Sequence, residues 1–198
     1  VLRSDLLKLI AEFAALSGEN PPVIVGSQAF YAITDRLPEI ARKSIECDFL
    51  LSSANFSKRI EIDENLGVFS EFQARNGYFA DALGKATVVL PKGWEDRLMP
   101  LSNENGDVVA LCADPHDVAV AKIIAGREKD HEFLVSALNS ELIDIAKLRD
   151  RLDLAAHKVE NDTIVDRLKR FADFLVKRRD RTFVPFITEH IEDICSKK

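Results

Sequence analysis

Hydrophobic residues follow two rhythms along this chain, one of period near 3.6 and one of period 2, and the balance between them shifts once. From Ser4 onward, Leu6, Leu7, Ile10, Phe13 and Ala14 mark one face of a helix, with Ser4 as its cap and Gly18 as its end. "ENPP" at Glu19 to Pro22 is a turn, and Val23 to Val25 then reads as a short buried strand. Gly26-Ser27 turns the chain into a helix predicted over Gln28 to Ile33. A second strand is predicted over Ile45 to Leu51, where Ile45, Cys47, Phe49 and Leu51 alternate with Glu46, Asp48 and Leu50. Glu46 and Asp48 therefore share one face.

The segment Ser53 to Leu66 reads as a helix with Phe56, Ile60 and Leu66 on one side and Gly67 at its end. Strands are predicted over Val68 to Phe72, Tyr78 to Leu83, Ala86 to Leu90 and Val108 to Cys112, with "PKGW" and "NENGD" as turns. Beyond Asp114-Pro115, where Asp caps and Pro takes the first helical position, the pattern is helical to the end. Breaks near Gly126, Asn139-Ser140, Asn161-Asp162 and Pro185 divide this part into about four helices by their cap and breaker chemistry. The expectation is an α+β fold: a mixed-sheet domain over residues 1–113, then a helical subdomain over residues 114–198.

Composition narrows the function classes. The chain has 198 residues, 46% hydrophobic and 30% charged, enough apolar material for a core. Its formal charge of -6 argues against coating nucleic acid by bulk electrostatics. Apolar runs such as "ATVVLP" and "DVAVAKIIAG" are too short to cross a bilayer, and no basic-then-apolar leader opens the sequence, so a cytoplasmic location with no membrane partner is expected. Cys47, Cys112 and Cys195 lack paired spacing, so they read as buried thiols, with no disulfide framework and no zinc site. The single methionine is Met99, which means that an initiator residue was lost or that the chain starts inside a longer product.

The acids in "ECDFLL" carry the chemical interest. A buried carboxylate is costly without a partner, so either this face of the strand meets water or the two acids hold a metal ion. The order strand, Gly-Ser turn, helix, acid-x-acid strand suits nucleotidyl transfer, in which a hydroxyl attacks a nucleotide's α-phosphate and pyrophosphate leaves. Mg²⁺ takes oxygen ligands, commonly one or two carboxylates plus substrate phosphates. Gly26 allows a close backbone approach to phosphate, and Ser27 offers a hydroxyl and an amide.

These residues resemble a family. "VGSQAF" with "SIECDFLL" is similar to the paired signature of the nucleotidyltransferase superfamily. "GYFADALGKATVVLPKGWEDRLMPL" and "DPHDVAVAKIIAGREKDHEFL" are similar to small bacterial nucleotidyltransferase-like proteins of unassigned role, related to the toxin nucleotidyltransferases of type IV abortive-infection systems. The likeness covers roughly residues 20–140. It implies a small mixed sheet with flanking helices, Mg²⁺ as cofactor, a nucleoside triphosphate as substrate, an RNA, protein or small-molecule acceptor, and a cognate antitoxin as partner. The alternative it leaves open is a catalytically silent nucleotide-binding or interaction module of a toxin-antitoxin pair.

Position by position, the resemblance implies phosphate binding by Gly26 and Ser27 and metal binding by Glu46 and Asp48. Asp81 in "GYFAD" becomes the third carboxylate, as metal ligand or as the base for the attacking hydroxyl, with Glu71 as runner-up. In "KIIAGREKD", Lys122 would reach a phosphate, Lys129 would assist, and Asp130 would orient one of them. Glu46 departs from the more usual Asp at the first acid, moving that carboxylate by roughly one C–C bond, about 1.5 Å. Lys122 and Lys129 share a face if one helix runs through Gly126. His116, His131, His157 and His190 lack ligand spacing and read as helix-surface or capping residues. Trp94 reads as packing, and "KRRDR" at Lys177 to Arg181 as a solvated helix end or an RNA contact.

Overall fold

The computed structural model describes residues 1–196; the last two positions of the sequence-defined helical region lie outside the described residues. The chain has two compact units: Val1–Val88 with Trp94–Asp114, and Val89–Gly93 with the chain from Pro115 onward.

The first unit is the α+β part. Helix α1 (Arg3–Ser17) buries Leu6, Leu9, Ile10 and Phe13, and Gly18, in the left-handed region at φ 78°, ends it by donating its N–H to Ala14 O. Leu2 is its N-cap residue and makes no side-chain cap, so Ser4 lies inside the helix. Strand β1 (Val23–Ile24) leads through Gly26 into a 3-10 turn at Ser27–Ala32, tighter than the expected helix, then into the short α2 (Glu39–Lys43). Next come β2 (Glu46–Leu51), a 3-10 turn (Phe56–Lys58), α3 (Arg59–Leu66), α4 (Glu71–Asn76) and β3 (Phe79–Gly84). A further 3-10 turn (Trp94–Arg97), β4 (Met99–Ser102) and β5 (Val108–Cys112) complete the unit.

The five strands form one mixed sheet in the order β3-β2-β1-β5-β4. β1 runs antiparallel to β2 and parallel to β5, β2 is parallel to β3, and β4 is antiparallel to β5. One face carries Cys47, Phe49, Ala80 and Ala82, all buried; Phe49 stacks on Phe13 of α1 at 4.1 Å between ring centroids. The opposite face carries Glu46, Asp48 and Asp81, each half-buried. The period-2 alternation thus separates an apolar face from an acidic one.

Two expected strands are absent from this sheet. Val68 to Phe72 does not extend, because Ser70 caps α4 by accepting from Gln73 N, and Phe69 sits in the left-handed region at φ 66°. Ala86 to Leu90 does not pair either: Thr87 folds back on Gly84 O through both its N–H (3.0 Å) and its hydroxyl (2.7 Å). A strand not expected, β4, contains Pro100 and lies at the sheet's edge, where a missing N–H costs no ladder bond.

The second unit is helical: α5 (Pro115–Ala125), α6 (Glu128–Asn139), α7 (Ile145–Asp153), a 3-10 turn (Leu154–His157), α8 (Asn161–Lys177) and α9 (Val184–Ser196). The five helices fall one in each of the five segments that the four breaks mark off, one more than the count of about four. Within the third segment the start of α7 is set by Asp144, whose carboxylate accepts from Lys147 N. Helix α5 packs against α6, α7 and α8, and α8 packs against α9. Ile123, Phe133, Leu134, Leu148, Leu152, Leu168, Phe171 and Ile187 are buried, and Asp117 of α5 is buried in an ion pair with Arg151 of α7 at 3.2 Å. No helix among the described residues is long and apolar enough to cross a membrane.

Candidate functional site

Strand direction gathers the acidic residues at one end of the sheet. β1 runs opposite to β2 and β3, so its C-terminal end lies at the same end of the sheet as the N-terminal ends of both, beside that of β2. Glu46 and Asp48 open β2, and Asp81 lies near the start of β3. The register sets Asp48 directly beside Asp81, whereas Glu46 lies beside Phe79. Adjacent strands are about 4.8 Å apart, so two carboxylates of one face sit within reach of a common ligand. Like charges facing each other across neighbouring strands cost stability, and a cation between them relieves that cost.

Gly26 completes this corner. Val25 N donates to Asp48 O at 2.9 Å, which brings the Gly26-Ser27 turn alongside Asp48. A Cβ added to Gly26 would lie 1.6 Å from Asp48 Oδ2 and 2.6 Å from its Cγ. Gly26 has φ -98°, which any residue adopts, so glycine is needed here for space and not for backbone freedom. The Asp48 carboxylate occupies that space. Ser27 is buried at the first position of the 3-10 turn, and Gln28 ties the turn to α2 by donating from Nε2 to Ala41 O at 2.9 Å.

This donor set fits a hard divalent cation such as Mg²⁺. The donors are carboxylate oxygens, two of them in register, with Glu46 on the same face two residues before Asp48. Among the described residues, no group of three or more His, Cys, Asp or Glu side chains stands ready to hold a metal ion. A pair of carboxylates, with remaining positions left to substrate phosphates and water, is the arrangement Mg²⁺ commonly uses.

Lys122, Lys129 and Asp130 belong to the helical unit. Gly126, at φ 63°, ends α5, and α6 begins at Glu128, so Lys122 and Lys129 lie on different helices and do not share one helical face. Asp130 is fully buried and holds both Lys122 Nζ, at 3.0 Å, and Arg127 Nε, at 2.6 Å; Lys122 also lies over the Phe133 ring, 4.6 Å from its centroid. Burial pushes the Asp130 carboxyl upward, but the hydrogen bond from Arg127 and the charge of Lys122 outweigh it and hold the group below its usual 3.8. A carboxyl lowered by folding contributes stability above its unfolded value, and that contribution is lost as pH falls through the folded value. Asp130→Ala is therefore expected to cost about 3 kcal/mol near neutral pH, by stranding the largely buried Lys122 cation. Urea unfolding of the two proteins from pH 7 down to about pH 3 checks this, with the difference shrinking below about pH 4 as wild type loses the pair.

Other residues depart from their sequence reading. Glu71 is on α4, exposed and paired with Arg75 at 3.3 Å, so it is no third strand acid. His131 and His190 are buried, not surface residues; His131 lies against the Phe171 and Phe174 rings, and burial lowers its pKa. His116 accepts from Asp144 N at 3.0 Å, a capping contact. Cys47 and Cys112 are buried, the latter thiol pushed up to about 12 by burial, whereas Cys195 is exposed. Trp94 is buried. Within "KRRDR", Arg178 pairs with Glu132 of α6 and lies 4.8 Å from the Phe174 ring centroid. The feature that sequence reasoning missed is the contact of Gly26 with Asp48, because the turn and the acid are 22 positions apart and only the β1–β2 pairing brings them together.

A model of a protein family described as nucleotidyltransferase of unknown function (DUF6036) matches residues 4–181. No curated protein and no solved structure matches the chain.

Proposed function

The chain belongs to this family of nucleotidyltransferases of unknown function, and from that premise we propose that it moves a nucleoside monophosphate from an NTP to an acceptor hydroxyl in a Mg²⁺-dependent reaction. The observation that carries this reading is the register of Asp48 beside Asp81 at the sheet end where Gly26 leaves room for the Asp48 carboxylate. Asp48 and Asp81 would hold Mg²⁺, with Glu46 on the same face of β2. When bound, the ion neutralises charge on the phosphates.

The remaining work falls to the chain itself. The turn would offer the Ser27 hydroxyl and amide to the triphosphate, while the room over Gly26 holds the Asp48 carboxylate in place. Asp81 accepts the proton of the attacking hydroxyl. The acceptor oxygen then bonds to the α-phosphorus, the bond to the β-phosphate oxygen breaks, and pyrophosphate leaves with that electron pair. For Lys122, Lys129 and Asp130, the sequence resemblance is what supports a nucleotide role.

The test is incubation with each α-labelled NTP, with and without Mg²⁺, against total RNA, cell protein and small-molecule alcohols. Label should move to one acceptor class, and Asp81→Asn should lower the rate about 10²- to 10⁴-fold, the span typical of a general base. One observation favours a second reading, a nucleotide-binding module without chemistry: no three-residue metal cluster stands ready among the described residues. NTP binding with no transfer to any acceptor would support that reading against the first. A toxic role, with an antitoxin as partner, would show as growth arrest on expression, relieved by a neighbouring gene.

A further inference from the structure

Gln28 follows Ser27 in the turn that would meet the triphosphate, and its side chain is fully buried. Nε2 donates to Ala41 O at 2.9 Å, but Oε1 is buried with no hydrogen-bond partner among the described residues. An unpaired buried acceptor costs more than one neutral hydrogen bond returns, so this amide does not hold its place through net stability. An apolar side chain of the same length would fill the space at lower cost. What it would lack is the donor. Gln is the uncharged choice where a donor must reach this far without burying a cation.

That donor ends on a junction. Ala41 is the residue that α2 buries, in a helix of five residues whose N-cap, Pro38, makes no side-chain cap. A helix this short does not hold by itself and takes its position from tertiary contacts. Ala41 O also accepts from Ser44 N at 3.3 Å, and Ser44 Oγ donates to Glu46 O at 3.2 Å, where β2 begins. Hydrogen bonds thus run from the Ser27 turn through α2 to the start of the acid strand. Two residues before Ser27, Val25 N makes the other tie to that strand, on Asp48 O at 2.9 Å.

We propose, on the strength of the nucleotidyl-transfer reading, that Gln28 is a positioning residue of the nucleotide site, fixing the spacing between the Ser27 turn and the carboxylates of β2. It touches neither phosphate nor metal and acts through the elements that carry Ser27 and Asp48. In-line displacement needs the attacking oxygen and the α-phosphorus in a set geometry, where a misplacement of about 1 Å costs about 100-fold in rate. Loss of the tie therefore falls on turnover more than on affinity.

Gln28→Met tests it, since methionine keeps the length and removes both polar atoms, while Ala41 O keeps its bond from Ser44 N. With α-labelled NTP, Mg²⁺ and the acceptor class that wild type labels, kcat should fall at least about 10-fold while KM for the NTP changes less than about 3-fold. The urea midpoint should hold or rise, because an unpaired buried acceptor is gone. Gln28→Glu is the rescue. Burial raises a carboxyl's pKa, and the protonated acid donates to Ala41 O as the amide does. Its kcat relative to wild type should be highest near about pH 6 and fall toward about pH 9 as the donor is lost. Wild-type kcat in Gln28→Met, or a Gln28→Glu ratio that is flat with pH, overturns the proposal and leaves nucleotidyl transfer standing. A lower kcat accompanied by a lower urea midpoint in Gln28→Met also overturns it, by making Gln28 a structural residue. A wild type that transfers no label from any NTP overturns nucleotidyl transfer and the role of Gln28 with it.

Discussion

Asp48→Ala is expected to weaken Mg²⁺-dependent NTP binding by more than about 100-fold, since even the outer partners of metal ligands contribute 10- to 100-fold to metal affinity. The substitution removes one of two carboxylates set side by side by the β2–β3 register, so it also removes their mutual repulsion. Thermal stability without metal should therefore hold or rise, the opposite of what a structural acid would show. Titration calorimetry with a non-hydrolysable NTP and Mg²⁺, beside scanning calorimetry of the apo protein, measures both. Unchanged nucleotide affinity would remove Asp48 from the site, and a lower melting temperature with unchanged affinity would make it a structural residue. The effect of Glu46→Ala should be smaller, because its register neighbour is Phe79 and not an acid.

What was legible in the sequence was mostly local. The alternation through "ECDFLL" specifies a strand with Glu46 and Asp48 on one face, and β2 has that form. The switch from period 2 to period 3.6 at Asp114-Pro115 is equally visible, and α5 begins at Pro115. Errors arose where residue type and position conflict. Val68, Phe69 and Phe72 are strand formers by propensity, yet the Ser70-x-x-Gln73 cap starts a helix among them. Proline is disfavoured inside a sheet, and only the sheet order makes Met99–Ser102 an edge strand where Pro100 is tolerated.

The geometry of the candidate site was beyond local pattern altogether. Asp48 and Asp81 are separated by 33 positions, and their adjacency depends on β3 pairing parallel to β2 in one register and not one residue away. A slip by one residue would send Asp81 to the apolar face with Phe49. Hydrophobic pattern restricts that choice, since Ala80 and Ala82 must stay buried, but it does not say which strand is the neighbour.

Gly26→Ala should be as damaging to nucleotide binding as Asp48→Ala, and for the same reason. The added methyl would stand 1.6 Å from Asp48 Oδ2 and 3.0 Å from Asp48 Cβ, so the carboxylate must swing away or the turn must move. Gly26 has an ordinary φ, so alanine brings no backbone penalty of its own, and the loss of about 100-fold in affinity reports the displaced carboxylate. Gly77→Ala is the contrasting case. Its φ is 79° with no heavy atom within 4 Å of the new Cβ, so it should cost about 1 kcal/mol of stability through backbone strain and leave nucleotide binding alone. The decisive measurement is a double-mutant cycle by calorimetry. If Gly26 acts only by leaving room for Asp48, Gly26→Ala adds nothing once Asp48 is alanine, and the coupling energy equals the whole single-mutant effect. Additive losses would instead mean that the turn contributes through its own contact with phosphate, so that Gly26 serves the ligand directly and not the carboxylate beside it.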